Sequence, residues 1–106
     1  MRRTDLIVSG GENVYPAEVE RVLLLHPGVQ DAAVIEVKDK EWGERVLAVV
    51  ARQEGQKVTE EEILSFCKGK LAGYQRPRSV AFMDDLPRNQ LGKVLYKELR
   101  NRFDPA

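Results

Sequence analysis

Apolar residues recur along this chain with two periods, about 3.6 and about two, and the switches between them mark the elements. Val19, Val22, Leu23 and His26 recur at helical spacing behind Pro16, which suits the first turn of a helix. Glu18 and Glu20 complement the positive end of that turn, and Pro27-Gly28 stops the run, so the spacing predicts a helix over residues 16–26. Residues 29–37 and 45–52 are rich in Val, Ile and Ala and predict two strands. The polar segment Lys38-Asp39-Lys40-Glu41-Trp42-Gly43-Glu44 between them makes an antiparallel hairpin the simple pairing. Glu54-Gly55-Gln56 turns the chain again.

The sharpest helix start comes next. Thr59 and Glu62 have the spacing of a capping box, and Val58 and Ile63 that of a hydrophobic staple. Ile63, Cys67 and Leu71 carry one apolar face onward to a stop at Gly73. Residues 78–83 form a third strand after Pro77, and Leu95, Leu99 and Phe103, four apart, predict a short terminal helix. Upstream, a charged lead-in passes into the strand-like run Leu6-Ile7-Val8. Ser9-Gly10-Gly11-Glu12-Asn13 is expected to break regular structure, since paired glycines and Asn favour positive φ. The order helix, strand, strand, helix, strand, helix predicts an α+β fold, a small central sheet of about three strands packed by helices.

Composition narrows the function classes. The chain has 106 residues, 42% hydrophobic and 32% charged, which fits one domain with a single modest core and argues against disorder. Seventeen basic and seventeen acidic residues cancel, which disfavours nucleic acid or anionic lipid as a partner. Cys67 is the only cysteine, so no intramolecular disulfide forms. No apolar run is long enough to span a bilayer and the start lacks a signal-peptide pattern, so a cytoplasmic protein is expected. No metal-ligand spacing occurs.

Two loops stand out chemically. Ser9-Gly10-Gly11-Glu12-Asn13 lets a ligand or another chain approach the backbone, although an ordinary strand-to-helix turn is the commoner role of such a pair. Pro87-Arg88-Asn89-Gln90-Leu91-Gly92-Lys93 ends in a lysine beside a glycine. An ammonium on a flexible stem can neutralise a carboxylate and a phosphate that must meet, yet most lysines are simply solvated. Lys70, Arg76 and Arg78 form either a phosphate-binding patch or a solvated face near a helix end. Trp42 is either a cap on the core or an exposed stacking platform. His26 reads as a helix cap and Cys67 as core.

Taken in order, longer stretches carry a resemblance. Residues 3–20 (Arg3-Thr4-Asp5-Leu6-Ile7-Val8-Ser9-Gly10-Gly11-Glu12-Asn13-Val14-Tyr15-Pro16-Ala17-Glu18-Val19-Glu20) come first. His26-Pro27-Gly28-Val29, Ala32-Ala33-Val34 and Trp42-Gly43-Glu44 follow, then Leu71-Ala72-Gly73-Tyr74-Gln75-Arg76-Pro77 and Leu86-Pro87-Arg88-Asn89-Gln90-Leu91-Gly92-Lys93. In this order they resemble the C-terminal domain of the adenylate-forming (AMP-binding) superfamily, of acyl-CoA synthetase type. The wording of residues 2–16 looks most like bacterial aromatic or medium-chain acid ligases, the o-succinylbenzoate–CoA ligase subfamily of menaquinone synthesis among them.

The resemblance implies a two-step ligase. A carboxylic acid and ATP, with Mg2+, give an acyl-adenylate and pyrophosphate; the thiol of coenzyme A then displaces AMP. In such enzymes the small domain rotates between steps. Lys93 matches the lysine of the first step. Ser9, Gly10, Gly11 and Glu12 match the loop along the pantetheine channel of the second. Trp42, Arg76 and Arg78 are candidates for the nucleotide end of coenzyme A. The hinge position aligns with Thr4, where the family most often has Asp or Lys. The resemblance also implies a large N-terminal AMP-binding domain, absent here, that binds most of the ATP, Mg2+ and acid, so this chain alone is expected to be inactive. Residues 1–106 are expected to be such a C-terminal domain cut at the hinge, with Met1 an added start. The alternative is a free-standing, non-catalytic module that docks on a separate partner.

Overall fold

The computed structural model describes residues 6–9, 11–41 and 43–104, so the expectations attached to Thr4, Gly10 and Trp42 lie outside the described residues. Strands β1 (Ile7–Ser9) and β2 (Glu12–Val14) lead into helix α1 (Pro16–Leu23). Strands β3 (Val29–Asp39) and β4 (Gly43–Arg52), helix α2 (Glu60–Lys68), a 3₁₀ turn (Gly73–Gln75), strand β5 (Ser79–Met83) and helix α3 (Tyr96–Phe103) follow. The helix, strand, strand, helix, strand, helix order is as expected. The central sheet has the order β3–β4–β5. β3 and β4 are antiparallel from Val29↔Arg52 to Asp39↔Gly43, whereas β5 runs parallel to β4, from Leu47↔Ser79 to Ala51↔Met83. A parallel neighbour needs a long crossover, and α2 supplies it.

Both faces of this sheet are covered. Side chains alternate between faces along each strand. Ala32, Val34, Val46, Ala48 and Val50 pack with Ile7 and Val14 of the β1–β2 ribbon, Val19 and Leu23 of α1, and Ile63 and Cys67 of α2. Ala33, Ile35, Val37, Leu47 and Val49 pack on the other side against Leu86 and Leu99, with Val94, Tyr96 and Phe103 around them. Hence β3 and β4 read in sequence as nearly continuous apolar runs rather than as alternating ones. Each large aliphatic side chain buried here contributes about 1.5–3 kcal/mol of transfer free energy.

The sheet edges are closed by carboxylates. On the outer edge of β3, the N–H groups of Ala32, Val34 and Lys38 donate to Asp31 Oδ1 (2.9 Å), Glu20 Oε2 (2.9 Å) and Asp104 Oδ2 (3.1 Å). On β5, the Val80 N–H donates to Glu60 Oε2 at 2.8 Å. Such side chains block pairing with another chain and satisfy donors the sheet leaves open.

Five expectations are corrected by the structure. Residues 12–14, expected to be irregular, form β2: Ser9 pairs with Glu12 and Ile7 with Val14. Gly11, at φ 85°, supplies the left-handed backbone that lets the chain reverse within so short a turn. The β3–β4 hairpin runs into its polar segment, pairing Lys38 with Glu44, because ladder bonds belong to the backbone and tolerate polar side chains. Helix α1 stops at Leu23 rather than His26. The Leu25 and His26 N–H groups bond three residues back, to Val22 O and Leu23 O, tightening the end before Pro27. Helix α2 stops at Lys68, capped by Gly69, yet Leu71 still reaches the core. At its start, Thr59 Oγ1 accepts from the Glu62 N–H (3.2 Å) as expected, and Val58 and Ile63 are both buried. The reciprocal half differs: the Thr59 hydroxyl donates to Glu62 Oε1 instead.

Candidate functional site

Lys93 lies at the end of a tight reversal between Leu86 and α3. Arg88 and Val94 pair as an antiparallel bridge, and the Leu95 N–H donates to Pro87 O at 2.9 Å. Inside that frame Asn89 organises the turn. Its N–H donates to Lys93 O (2.9 Å), its carbonyl accepts from the Gly92 N–H (3.0 Å), and its side-chain Oδ1 accepts from the N–H groups of Leu91 (2.8 Å) and Lys93 (3.1 Å). An Asn side chain that folds back onto following amides replaces a turn's missing backbone partners. Gly92 sits at φ 82°, a conformation that other residues adopt only with strain. The result is a braced hairpin with Leu91 82% exposed at its tip and Lys93 exposed beside it.

Arg88 ties this hairpin to the sheet. Its Nε and Nη2 donate to the two carboxylate oxygens of Asp31, at 3.0 and 2.6 Å, and its Nη1 donates to Gly92 O. The Asp31 carboxylate, by accepting those bonds, raises the Arg88 pKa further and keeps the guanidinium charged. Next along the edge, Tyr96 donates to Glu20 Oε2 at 2.6 Å. Burial pushes the Glu20 carboxyl up from its ordinary value, while the bonds from Tyr96 and the Val34 N–H pull the other way.

The second candidate loop projects elsewhere. Ser9 is buried and pairs with Glu12, while Gly11 and Glu12 are exposed at the ribbon's end. The Val8 N–H donates to Glu44 Oε1 at 3.3 Å, fixing the ribbon against the start of β4. The 3₁₀ turn packs against β2, and Gln75 locks it in place: Oε1 accepts from the Ala72 N–H (3.0 Å) and Nε2 donates to Glu18 (3.1 Å). The ribbon belongs to the α1/α2 face of the sheet and the Lys93 hairpin to the α3 face, so the structure does not bring Lys93 and Ser9–Glu12 into one cluster.

Arg76 and Arg78 flank buried Pro77 between the 3₁₀ turn and β5. The Arg76 Nε donates to Leu71 O at 3.3 Å and the Lys70 ammonium stacks 4.0 Å from the Phe66 ring centroid, so both serve the end of α2. The Arg78 N–H donates to Val46 O at 2.8 Å, which leads the chain into β5. His26 Nδ1 accepts from the Gly28 N–H at 2.9 Å, and its ring meets Phe66 edge-on, the role of a cap. Cys67 is buried, and that burial raises its thiol pKa, away from reactivity. Among the described residues no group of three or more metal-ligating side chains occurs, and no helix is long and apolar enough to cross a membrane.

Spacing alone did not single out Asp31, Glu20 or Arg88 as builders of this site. The Arg88–Asp31 pair joins positions 57 residues apart and leaves no local signal. The turn residues Asn89 and Gly92, by contrast, mark the reversal within one short segment.

The described residues thus form a small α+β domain whose sheet is covered on both faces, with the braced lysine hairpin on the α3 side and the β1–β2 ribbon on the other. Residues 18–93 match the family model described as AMP-binding enzyme C-terminal domain, and the chain belongs to that family. 2-Succinylbenzoate–CoA ligases from two strains of Bacillus cereus are 50% and 52% identical over 99 residues, covering 93% of this chain and 20% of theirs. The fold matches a fatty acyl CoA synthetase of Mycobacterium tuberculosis with TM-score 0.91 at 43% identity, over 98% of this chain and 20% of that one. It also matches o-succinylbenzoate CoA synthetase of Bacillus subtilis, solved with its acyl-adenylate intermediate, with TM-score 0.86 at 45% identity, over 93% and 20%. The chain therefore spans about one fifth of the length of these relatives.

Proposed function

We propose that this chain is the C-terminal lid of an ATP-dependent acyl-CoA synthetase and works joined to a large N-terminal AMP-binding domain. In the first half-reaction an oxygen of the acid's carboxylate attacks the α-phosphorus of ATP, and pyrophosphate leaves. Lys93 supplies the ammonium that draws the two anions together and offsets charge developing between them. In the second, the coenzyme A sulfur attacks the acyl carbon and AMP leaves. Ser9, Gly10, Gly11 and Glu12 then border the pantetheine arm, with Trp42, Arg76 and Arg78 toward its nucleotide. Thr4 is the hinge, and the Mg2+ that accompanies ATP is held mainly by the large domain.

The observation that carries this reading is the placement of the two loops on opposite sheet faces in a chain of this family. Turning one rigid domain can present each loop in its own step. Both loops project from the domain, so each needs an opposing surface from elsewhere to become a closed site. For the acid, 2-succinylbenzoate is the substrate to try first, because ligases so named are 50–52% identical to this chain.

The test is an assay of the full-length protein with 2-succinylbenzoate, ATP and coenzyme A. Formation of the thioester, AMP and pyrophosphate is expected, with no turnover by the 106-residue chain alone. Turnover with other acids but not this one removes the substrate assignment. Absence of adenylate formation with any carboxylic acid removes the ligase reading.

A further inference from the structure

Lys93 hangs from a hairpin of a few residues, and the flexible part of such a loop is what decides where an ammonium spends its time. Within the hairpin, Asn89 fixes the shape of the turn, and Leu86 and Val94 seat its base on the sheet, but none of the Asn89 bonds ties the turn itself to the sheet. The side chain that ties the turn to the sheet edge by hydrogen bonds is Arg88. Its planar guanidinium makes two parallel bonds to the Asp31 carboxylate and a third to Gly92 O, the carbonyl immediately before Lys93. A fork of this kind sets an angle as well as a distance, which a lysine's point charge does not. Asp31 is itself held, since its Oδ1 also accepts from the Ala32 N–H at the edge of β3.

We propose that Arg88, anchored on Asp31, is a positioning residue that aims Lys93 for adenylate formation. This inference rests on the role given to Lys93 above. It assigns no contact between Arg88 and substrate: the guanidinium acts through the Gly92 carbonyl and the sheet edge. Because the brace joins the hairpin to the edge of β3, and the partners described for Arg88 and Asp31 all lie outside the β1–β2 ribbon, the second half-reaction does not depend on it.

The experiment uses the full-length synthetase with 2-succinylbenzoate and the variants Arg88→Met, Arg88→Lys, Asp31→Asn and Lys93→Ala, together with the exchanged pair Arg88→Asp/Asp31→Arg. ATP–pyrophosphate exchange reads the first half-reaction, and conversion of preformed acyl-adenylate by coenzyme A reads the second. Arg88→Met is expected to lower kcat of the first by roughly 10- to 100-fold, the scale of a misplaced catalytic group, with the second unchanged. Arg88→Lys recovers little, Asp31→Asn loses less than Arg88→Met, and the exchanged pair regains part of the rate. Amide hydrogen exchange adds a readout free of turnover: the Leu91, Gly92 and Lys93 amides exchange faster in Arg88→Met and in Asp31→Asn, while those of Ala48 and Val49 stay protected. Equal losses in both half-reactions, full activity in Arg88→Met, or hairpin amides as protected as in the parent each overturn the proposal. If Lys93→Ala keeps full adenylation, the functional reading itself fails; if Lys93→Ala abolishes it while Arg88→Met does not, only this inference fails.

Discussion

Tyr96 and Glu20 join the two faces of the sheet: the phenol of α3 donates a 2.6 Å hydrogen bond to a carboxylate of α1 that also accepts from the Val34 N–H on the edge of β3. Burial raises the pKa of Glu20 above its ordinary 4.5. The folded state thus holds this proton more tightly than the unfolded chain does. Its contribution to stability is fully present below about 4.5 and is lost as pH rises through the raised folded value. Glu20→Gln keeps an acceptor in the same place and carries no charge. The variant is expected to gain stability relative to the parent between pH 4 and pH 7, read as the difference in Tm at the two values. A Tm difference independent of pH contradicts this account of Glu20.

The Thr59 cap makes a simpler prediction. Its Oγ1 accepts from the Glu62 N–H at 3.2 Å in an exposed first turn. Thr59→Ala leaves that donor to water and is expected to cost about 1 kcal/mol in denaturant unfolding. Thr59→Ser and Thr59→Asp retain most of the stability.

Gly11 and Gly92 share a backbone conformation, φ 85° and φ 82°, and at neither would an added Cβ come within 4 Å of an atom of the described residues, its own chain neighbours aside. Alanine at either position therefore costs only the strain of the left-handed conformation, roughly 1–2 kcal/mol. Their effects on chemistry should separate. On the roles proposed above, Gly92→Ala is expected to distort the Lys93 hairpin and slow adenylate formation, and Gly11→Ala to crowd the proposed pantetheine path and slow thioester formation. Matched stabilities with opposite half-reaction defects are the expected outcome, measured by thermal unfolding and by the two half-reaction assays.

The fold was legible in the sequence wherever one local signal sufficed. The apolar runs of β3 and β4, the Thr59 start and the 95/99/103 spacing each identify an element without knowledge of its neighbours. Helix ends were less legible, because α1 and α2 close with tight turns whose side chains still belong to the apolar face; Leu71 is buried three residues beyond the end of α2. β2 escaped because glycine and asparagine signal a turn but do not say that two strands flank it. Both the Lys93 loop and the Ser9–Asn13 loop stood out from their residues, but their roles entered through family resemblance. The brace behind Lys93 was hidden for a physical reason: Asp31 and Arg88 are brought together by the packing of α3 and β3, and nothing local to either residue specifies the other.

The central claim, that Lys93 serves adenylate formation and not thioester formation, is tested most directly by the ratio of the two half-reaction rates in full-length Lys93→Ala. The account predicts that ATP-dependent adenylate formation falls by about 10²–10³-fold, as for loss of a preorganised charge-stabilising group. It predicts that preformed acyl-adenylate is still converted to the thioester at the parent rate. Equal loss of both half-reactions, or an unchanged first one, would contradict it.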